Sequence, residues 1–153
     1  MPKRNVKVPG HSEWTGYETD LDVRHAHEIF FGKSIAEVQC FFGDVQSIER
    51  AGELLFMPRR AFQYYVFAFA EFVLSDQATG DPDSASPFLR LLISREQRDP
   101  GSVSDIYPDL TSAVEHIASH QGKYAADPNI YGSFDELAAQ LKALCDSADA
   151  QPG

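Results

Sequence analysis

The stretch from Met57 to Leu74, MPRRAFQYYVFAFAEFVL, constrains the fold more than any other part of the sequence. Its aromatic and aliphatic residues recur at steps of three and four, which is the spacing of one helical face. Most other positions are also apolar, and a helix that is apolar nearly all round is normally surrounded by protein. A transmembrane span would need about 20 apolar residues, whereas this run is shorter and carries Glu71. The sequence therefore predicts a central core helix near residues 58–74.

Helix signals also occur on both sides of this stretch. A serine followed three residues later by glutamate, the pattern of a capping box, occurs at Ser34, Ser112 and Ser133. Few segments show the alternation of β-branched residues and the turn residues that a hairpin needs. We therefore predict an all-α protein, a single compact domain of about six helices around the 58–74 helix.

This helical domain is predicted to cover residues 19–146. Residues 1–18 mix prolines and glycines with polar residues, which indicates an extended N-terminal arm. Large aromatic residues seldom stay in water, so Trp14 and Tyr17 are expected to hold the end of this arm to the body. Residues 147–153 are expected to form a frayed C-terminal tail.

Two further segments have distinctive local patterns. Residues 20–31 carry acidic residues at the start and Gly32 at the end, as a helix would, but the alternation around Val23 also fits a strand. Residues 76–86, DQATGDPDSAS, have the composition of a loop, with Pro87 as the first residue of the next helix.

The charge of the chain limits the partners it can bind. The sequence has 23 acidic and 13 basic residues, a net charge of −10, and the segment 99–153 alone holds nine acidic residues against two basic ones. Such a field disfavours nucleic acid and anionic membrane surfaces. It favours a basic protein partner, mainly by speeding the encounter.

Cysteine usage and the N-terminal residues bear on location. Cys40 and Cys145 are too few for a disulfide framework, and both lie in apolar helical patterns, which predicts buried, reduced thiols. The first ten residues, MPKRNVKVPG, lack the apolar run of a secretory signal. The expected location is cytoplasmic.

Two histidine pairs are the best candidates for chemistry. His116 and His120 are four residues apart on a predicted helix and could share a metal, and His25 and His27 could supply further ligands. The metalloprotease pattern H-E-x-x-H is absent, because Ile117 follows His116. A small metal-dependent hydrolase built on these residues is therefore an alternative hypothesis, which requires the two pairs to meet. No other pattern indicates a catalytic residue or a cofactor.

The best candidate for partner binding is the segment 105–131. Tyrosines are common interface anchors, and acidic neighbours would steer a basic partner towards them. The candidate contact residues are Asp105, Tyr107, Asp109, Tyr124, Asp127 and Tyr131.

Parts of the chain resemble small acidic bacterial proteins. The residues that carry the resemblance are LLFMP from Leu54, the pairs Ala61-Phe62, Tyr64-Tyr65 and Ala68-Phe69, and YPDLT from Tyr107. Some proteins of this kind are immunity proteins that neutralise a co-encoded toxin. The resemblance covers about half of the chain, and its motifs form the core, so it transfers no functional residues.

These observations favour a non-catalytic, all-α binding protein, with an immunity protein that covers the basic active site of a toxin as its most specific form. The alternatives are the metal-dependent hydrolase and a structural or regulatory subunit of an oligomer. The sequence leaves the oligomeric state open.

Overall fold

The computed structural model describes residues 7–150, and within this range it contains helices and no strand. The all-α prediction is confirmed. The α-helices are α1 Leu21–Phe30, α2 Ile35–Val38, α3 Val45–Phe56, α4 Arg59–Leu74, α5 Pro82–Arg98, α6 Tyr107–Ser119, α7 Pro128–Tyr131 and α8 Phe134–Ala150. Short 3-10 helices occur at His11–Glu13, Gln39–Phe41, Asp76–Ala78, Ser104–Ile106 and Gln121–Tyr124.

The predicted central helix is α4, which is buried along most of its length. It packs against α2, α3, α5 and α6, and only its ends and Glu71 reach solvent. Phe69 has no exposed surface, and its ring stacks on Phe42 with centroids 4.8 Å apart and meets Phe88 edge-on at 5.3 Å. The nearly continuous apolar sequence of α4 therefore reflects contacts on all sides.

The segment 20–31 is a helix, which decides between the two predicted alternatives. The carboxylate of Asp20 accepts hydrogen bonds from the backbone N–H groups of Asp22 at 2.9 Å and Val23 at 3.2 Å. Such side-chain bonds satisfy N–H groups that lack partners within the helix. Val23, Ala26 and Phe30 are buried on one face of α1, at helical rather than strand spacing.

The N-terminal segment is described from Lys7 onward. Trp14 is fully buried near Tyr65, with ring centroids 6.2 Å apart, while Tyr17 is half-buried and stacks on His27. Residues 11–19 form a 3-10 helix and turns, so this part of the predicted arm is not extended. The aromatic contacts hold this segment against α1 and α4.

The predicted capping boxes differ in outcome. Ser34 caps α2, with its hydroxyl accepting from Glu37 N–H at 3.2 Å and the Glu37 carboxylate accepting from Ser34 N–H at 2.9 Å. Ser133 Oγ accepts from Glu136 N–H at 3.3 Å at the start of α8. Ser112 lies inside α6, which begins five residues earlier at Tyr107. Pro108 in the first turn provides the start signal there, because its missing N–H costs nothing at that position.

The cysteine prediction is right for one residue and wrong for the other. Cys145 is buried in α8, whereas Cys40 is exposed. Cys40 lies in the 3-10 helix Gln39–Phe41, because the α-helix α2 ends at Val38. The change from α to 3-10 geometry alters the rotation per residue, so the α-helical pattern does not hold beyond Val38.

The segment 76–86 is not a loop throughout, which corrects the prediction. The helix α5 begins at Pro82, and Pro87 lies within it. Either proline suits a first helical turn, but Ser84 and its neighbours are buried against the body, so α5 starts at the earlier one. Pro87 leaves the carbonyl of Asp83 without its usual helical donor.

The C-terminal helix α8 extends through Ala150, past the predicted start of the tail at residue 147. It packs against α5 and α6, and the pair Lys142–Asp146, with Nζ and Oδ2 3.0 Å apart, supports its last turns. The helix continues because no glycine or proline interrupts the sequence before Pro152. Residues 151–153 lie outside the described range.

The length and polarity of these helices also bear on membrane association. Among residues 7–150, none of the helices combines the length and the apolar character needed to cross a bilayer.

Candidate functional site

The six predicted contact residues lie at two ends of α6. Asp105, Tyr107 and Asp109 surround its N-terminus, whereas the other three follow its C-terminal end at Ser119. At 1.5 Å per residue, the two groups are separated by about 18 Å along the helix axis. The structure therefore splits the predicted surface into two patches.

Two of the three tyrosines in this set are tied to the body. Tyr124 has no exposed surface, and its hydroxyl donates to the carbonyl of Val73 at 2.8 Å. This burial also raises the pKa of Tyr124. Tyr131 is half-buried and its hydroxyl lies 3.3 Å from the carboxylate of Asp83. Tyr124 cannot anchor a partner, and Tyr131 is engaged in holding the loop onto α5.

The remaining contact candidates keep varying degrees of exposure. Tyr107 is half-buried, and this burial raises its pKa. Asp105, Asp109 and Asp127 are exposed, but Asp127 caps α7 by accepting from the N–H of Asn129 at 2.9 Å. These residues offer acidic charge, and the apolar Ile130 in α7 is 74% exposed beside Asp127, but stable interfaces contain a larger apolar centre than one such side chain.

The four candidate metal ligands do not converge. Among residues 7–150, no group of three or more His, Cys, Asp or Glu side chains is placed to hold a metal ion. The rings of His116 and His120 stack with centroids 4.3 Å apart, and His120 Nδ1 lies 2.7 Å from the carbonyl of His116. Burial and the neighbouring His120 lower the pKa of His116.

The side chains of the other pair, His25 and His27, point in different directions because residues two apart on a helix do not share a face. His25 Nε2 lies 3.0 Å from the carboxylate of Glu53 on α3. His27 lies instead between the rings of Tyr17 and Phe31, with centroid distances of 4.4 and 4.3 Å. Burial lowers the pKa of His27, with a further effect from the nearby His11. Each histidine therefore has its own structural neighbours.

A different surface stands out on α3, because this helix buries two polar side chains along with Leu54 and leaves two aliphatic side chains exposed. Val45 is 65% exposed and Ile48 is 49% exposed, whereas Ser47 is fully buried and Glu53 is 6% exposed. A surface helix normally has the opposite arrangement, with its apolar face towards the core. The outer face of α3 is therefore the strongest candidate for a functional surface.

The buried polar groups of α3 are held by neighbouring helices. Ser47 Oγ accepts from the N–H of Gly43 at 2.8 Å and lies 2.7 Å from Ser84 Oγ on α5. Glu53 lies against Arg50 Nη2, at 3.0 Å, in addition to His25. Because these polar groups have partners, their burial is tolerated and fixes the rotation of α3 about its axis.

The backbone is strained where α3 begins. Asp44 has φ 49° and ψ −134°, a conformation that favours glycine, and its N–H donates to the carboxylate of Asp81 at 2.9 Å. Such a conformation costs on the order of 1–3 kcal/mol and is retained only where the surroundings enforce it. The contact with Asp81 at the start of α5 helps to enforce it here.

One side of α3 has the spacing of a helix-packing seam, in which three residues are exposed and the fourth, Leu55, is half-buried against the core. Val45, Ile48, Gly52 and Leu55 follow one another at steps of three, four and three, as the contact positions of a coiled coil do. Gly52 is exposed at the centre of this seam, and a Cβ added there would meet nothing within 4 Å. The fold of the described residues does not require glycine at this position.

Two grooves flank the seam, and Gly52 lines both of them. The first lies between α3 and α5, has a volume of about 280 Å³, and is lined mainly by Ile48, Ala51, Leu55, Pro87 and Leu91. The second lies between α1 and α3, has a volume of about 480 Å³, and is lined mainly by Asp22, His25, Glu49, Arg50 and Glu53. We call the seam and these two grooves the α3 face.

The glycine in the seam leads to a stability prediction. Gly52→Ala is expected to raise the free energy of unfolding by about 0.5–1 kcal/mol, because glycine inside a helix has excess freedom in the unfolded chain. Denaturant unfolding measures this difference. Gly101→Ala is the contrasting variant, since Gly101 has φ +104° and its added Cβ would lie 2.9 Å from Arg59 Nη1. A loss of stability in Gly52→Ala would show that the fold of the isolated chain requires glycine at this position.

A third pocket, beside the end of α3, has a volume of about 500 Å³ and contains three arginines. Arg95 is 3% exposed and donates to the carbonyls of Leu55 at 2.8 Å and Met57 at 2.5 Å. Its burial lowers its pKa to about 10. The hydrogen bond from Arg59 lowers the pKa of Asp99 to about 2. Because Arg59 and Arg95 are satisfied within the protein, this pocket is explained by the fold.

From the sequence alone, residues 45–51 are expected to form a short helical piece that ends before Gly52, and this expectation hides the α3 face. The helix runs through Gly52 to Phe56. A helical projection over this longer segment would have placed Val45, Ile48 and Leu55 on one side. It would not have shown that this side points outward.

No protein-family model, curated protein or solved structure matches the chain. The resemblance to small acidic bacterial proteins therefore stays an expectation. The charge of the chain and the geometry of the α3 face are the properties that bear on its function.

Proposed function

We propose that this protein is a non-catalytic protein-binding domain and that the α3 face is its contact surface. The observation that carries the proposal is the exposure of Val45 and Ile48 on a helix that buries Ser47 and Glu53. Burying one aliphatic side chain is worth about 1.5–3 kcal/mol. The isolated chain forgoes this stabilisation, and a partner that covers the face recovers it.

The shape of the surface favours a macromolecular partner. The seam from Val45 to Leu55 extends about 15 Å along α3, with a groove on each side. Its centre is apolar, while Asp44 and Glu49 beside it are exposed. An apolar centre with a polar rim is the usual anatomy of a protein interface.

The charge of the chain supports a basic partner. The net charge is −10, and the groove between α1 and α3 has Asp22 and Glu49 among its lining residues. Opposite charge speeds the encounter of two proteins, and salt screens this effect. The association rate with the partner is therefore expected to fall as salt is added.

The more specific form of the proposal is an immunity protein that covers the basic active site of a toxin. It is supported by the acidic charge and by the resemblance carried by the segments around Leu54 and Tyr107. Under this proposal the protein supplies no reacting group, and inhibition follows from steric exclusion of the toxin's substrate.

The test is capture of a partner from cells of the source organism, with the products of adjacent genes also offered as candidates. We expect a stoichiometric basic protein that binds the parent protein and fails to bind Ile48→Lys. The matched control is Ile130→Lys, because Ile130 on α7 is 74% exposed but lies outside the α3 face. This variant is expected to bind normally.

Two results would contradict the proposal. Absence of any stoichiometric partner would remove the binding function. Binding that survives Ile48→Lys but is lost when Asp105, Asp109 and Asp127 are changed to asparagine would move the contact to the acidic ends of α6. An association rate that does not change with salt would remove the electrostatic steering.

A further inference from the structure

We infer that the element of the partner that occupies the α3 face is a basic amphipathic α-helix that packs against α3 at Gly52. This inference rests on the proposed binding function and adds the secondary structure, polarity and contact point of the bound segment.

The spacing of the seam is the first argument for a helix. Steps of three and four residues along Val45, Ile48, Gly52 and Leu55 match the way side chains of one helix fit between those of another. The described residues, 7–150, contain no strand, so they offer no sheet edge to which an extended peptide could add. The groove between α3 and α5 is lined by aliphatic side chains together with Ser86, Arg90 and Ser94, and its lining includes no aromatic ring, unlike the grooves that bind polyproline segments.

The glycine at the centre is the second argument. The distance between packed helix axes is about 8–10 Å and depends on the side chains at the contact. Gly52 has no side chain and its Cβ position is open, so a second helix can approach the backbone of α3 there. The adjoining groove of about 280 Å³ between α3 and α5 can then receive an apolar side chain from that helix.

The different chemistry of the two grooves orients the bound helix. Its apolar side would face Ile48, Leu55 and Pro87 in the groove between α3 and α5. Its basic side would face the groove between α1 and α3, where the carboxylates of Asp22, Glu49 and Glu53 outnumber the one arginine, Arg50, that is paired with two of them. The bound helix should therefore carry an apolar stripe and lysine or arginine residues on one flank of that stripe.

Charge also selects between a foreign helix and a second copy of this chain. Each copy carries a net charge of −10, so two copies repel each other as they approach. Like charges placed opposite each other oppose association. A basic partner meets no such repulsion.

The test uses a displayed library of peptides of about 18 residues, long enough to form helices, with the residues of one helical face randomised. Binders are selected on the parent protein, and the enrichment of each peptide is compared with its enrichment in a parallel selection on Gly52→Trp. We expect enriched peptides with apolar residues at steps of three and four, basic residues on one flank, and helical circular dichroism when bound. Their affinity should fall at least about tenfold on Gly52→Trp.

The matched control is Gly122→Trp, because an added Cβ at Gly122 also meets nothing within 4 Å and Gly122 lies outside the α3 face. This variant should bind the selected peptides like the parent protein. Thermal unfolding should show neither tryptophan variant to be less stable than the parent, since an added Cβ meets no atom at either position.

Several outcomes would overturn the inference. Selected peptides that bind Gly52→Trp as tightly as the parent would contradict the contact at Gly52. Selected peptides that are acidic, or that stay extended when bound, would contradict the basic helix. Another such outcome is a library that yields no binder above the Gly52→Trp background. A parent dimer in light scattering that becomes a monomer in Gly52→Trp would show that a second copy covers the face. The last outcome concerns the natural partner. If its binding is abolished by Ile48→Lys but unchanged by Gly52→Trp, the inference of a bound helix is wrong and the proposed binding function still stands.

Discussion

Replacing Phe69 by alanine is expected to lower the free energy of unfolding by about 3–5 kcal/mol, the usual cost of removing a buried phenylalanine. Phe69 has no exposed surface and lies in the middle of α4. Its ring contacts Phe42 and Phe88, which belong to different parts of the fold. Rigid aromatic neighbours cannot close the space that alanine would leave, so most of the cavity should persist.

Equilibrium unfolding in urea, followed by circular dichroism, would measure this loss. The matched control is Phe31→Ala, because Phe31 is 37% exposed at the end of α1. We expect its cost to be smaller, about 1 kcal/mol. A loss below about 1 kcal/mol in Phe69→Ala would place Phe69 outside the core and would contradict the central position of α4.

Replacing Arg95 by methionine is expected to lower the free energy of unfolding by about 1–3 kcal/mol, the usual cost of leaving buried hydrogen-bonding groups without a partner. The guanidinium of Arg95 donates to the carbonyls that end α3 and to Ser102 Oγ at 3.1 Å. It also lies over the ring of Phe62, 4.7 Å from its centroid. Methionine fills similar space but leaves these acceptors without a donor.

The control for this variant is Arg98→Met, one turn further along α5. Arg98 is exposed and lies over the ring of Phe56 at 4.6 Å. Its replacement should change stability by about 1 kcal/mol or less. Hydrogen exchange should also show faster opening of the last turn of α3 in Arg95→Met and not in Arg98→Met. Equal losses in the two variants would show that the network of Arg95 is not stabilising.

The predictions from sequence were most successful where a local pattern is compatible with only one structure. The apolar run of α4 can be stable only inside protein, so its central position followed from composition alone. The capping pairs at Ser34 and Ser133 also located helix starts, because they act between residues three apart. The start of α5 was misplaced because both Pro82 and Pro87 suit a first turn, and the choice depends on the burial of Ser84.

The predicted contact residues are the part of the sequence interpretation that the tertiary structure rearranges most. Tyr124 looked like an interface residue, but a buried acceptor, the carbonyl of Val73, holds it inside the fold. The set from Asp105 to Tyr131 is contiguous in sequence, yet α6 lies between its two halves. Proximity along the chain does not imply a shared surface once a helix of this length intervenes.

The sequence by itself determined that the chain is helical, that α4 is its centre, and that its charge is strongly acidic. These properties depend on local spacing and composition. Only the tertiary structure decided which side of α3 faces solvent. That choice depends on Ser84, 37 residues from Ser47, and on His25, 28 residues from Glu53, which form hydrogen bonds with two polar side chains on different sides of α3. Because those partners come from α5 and α1, no pattern within α3 could show that Val45 and Ile48 would be left exposed.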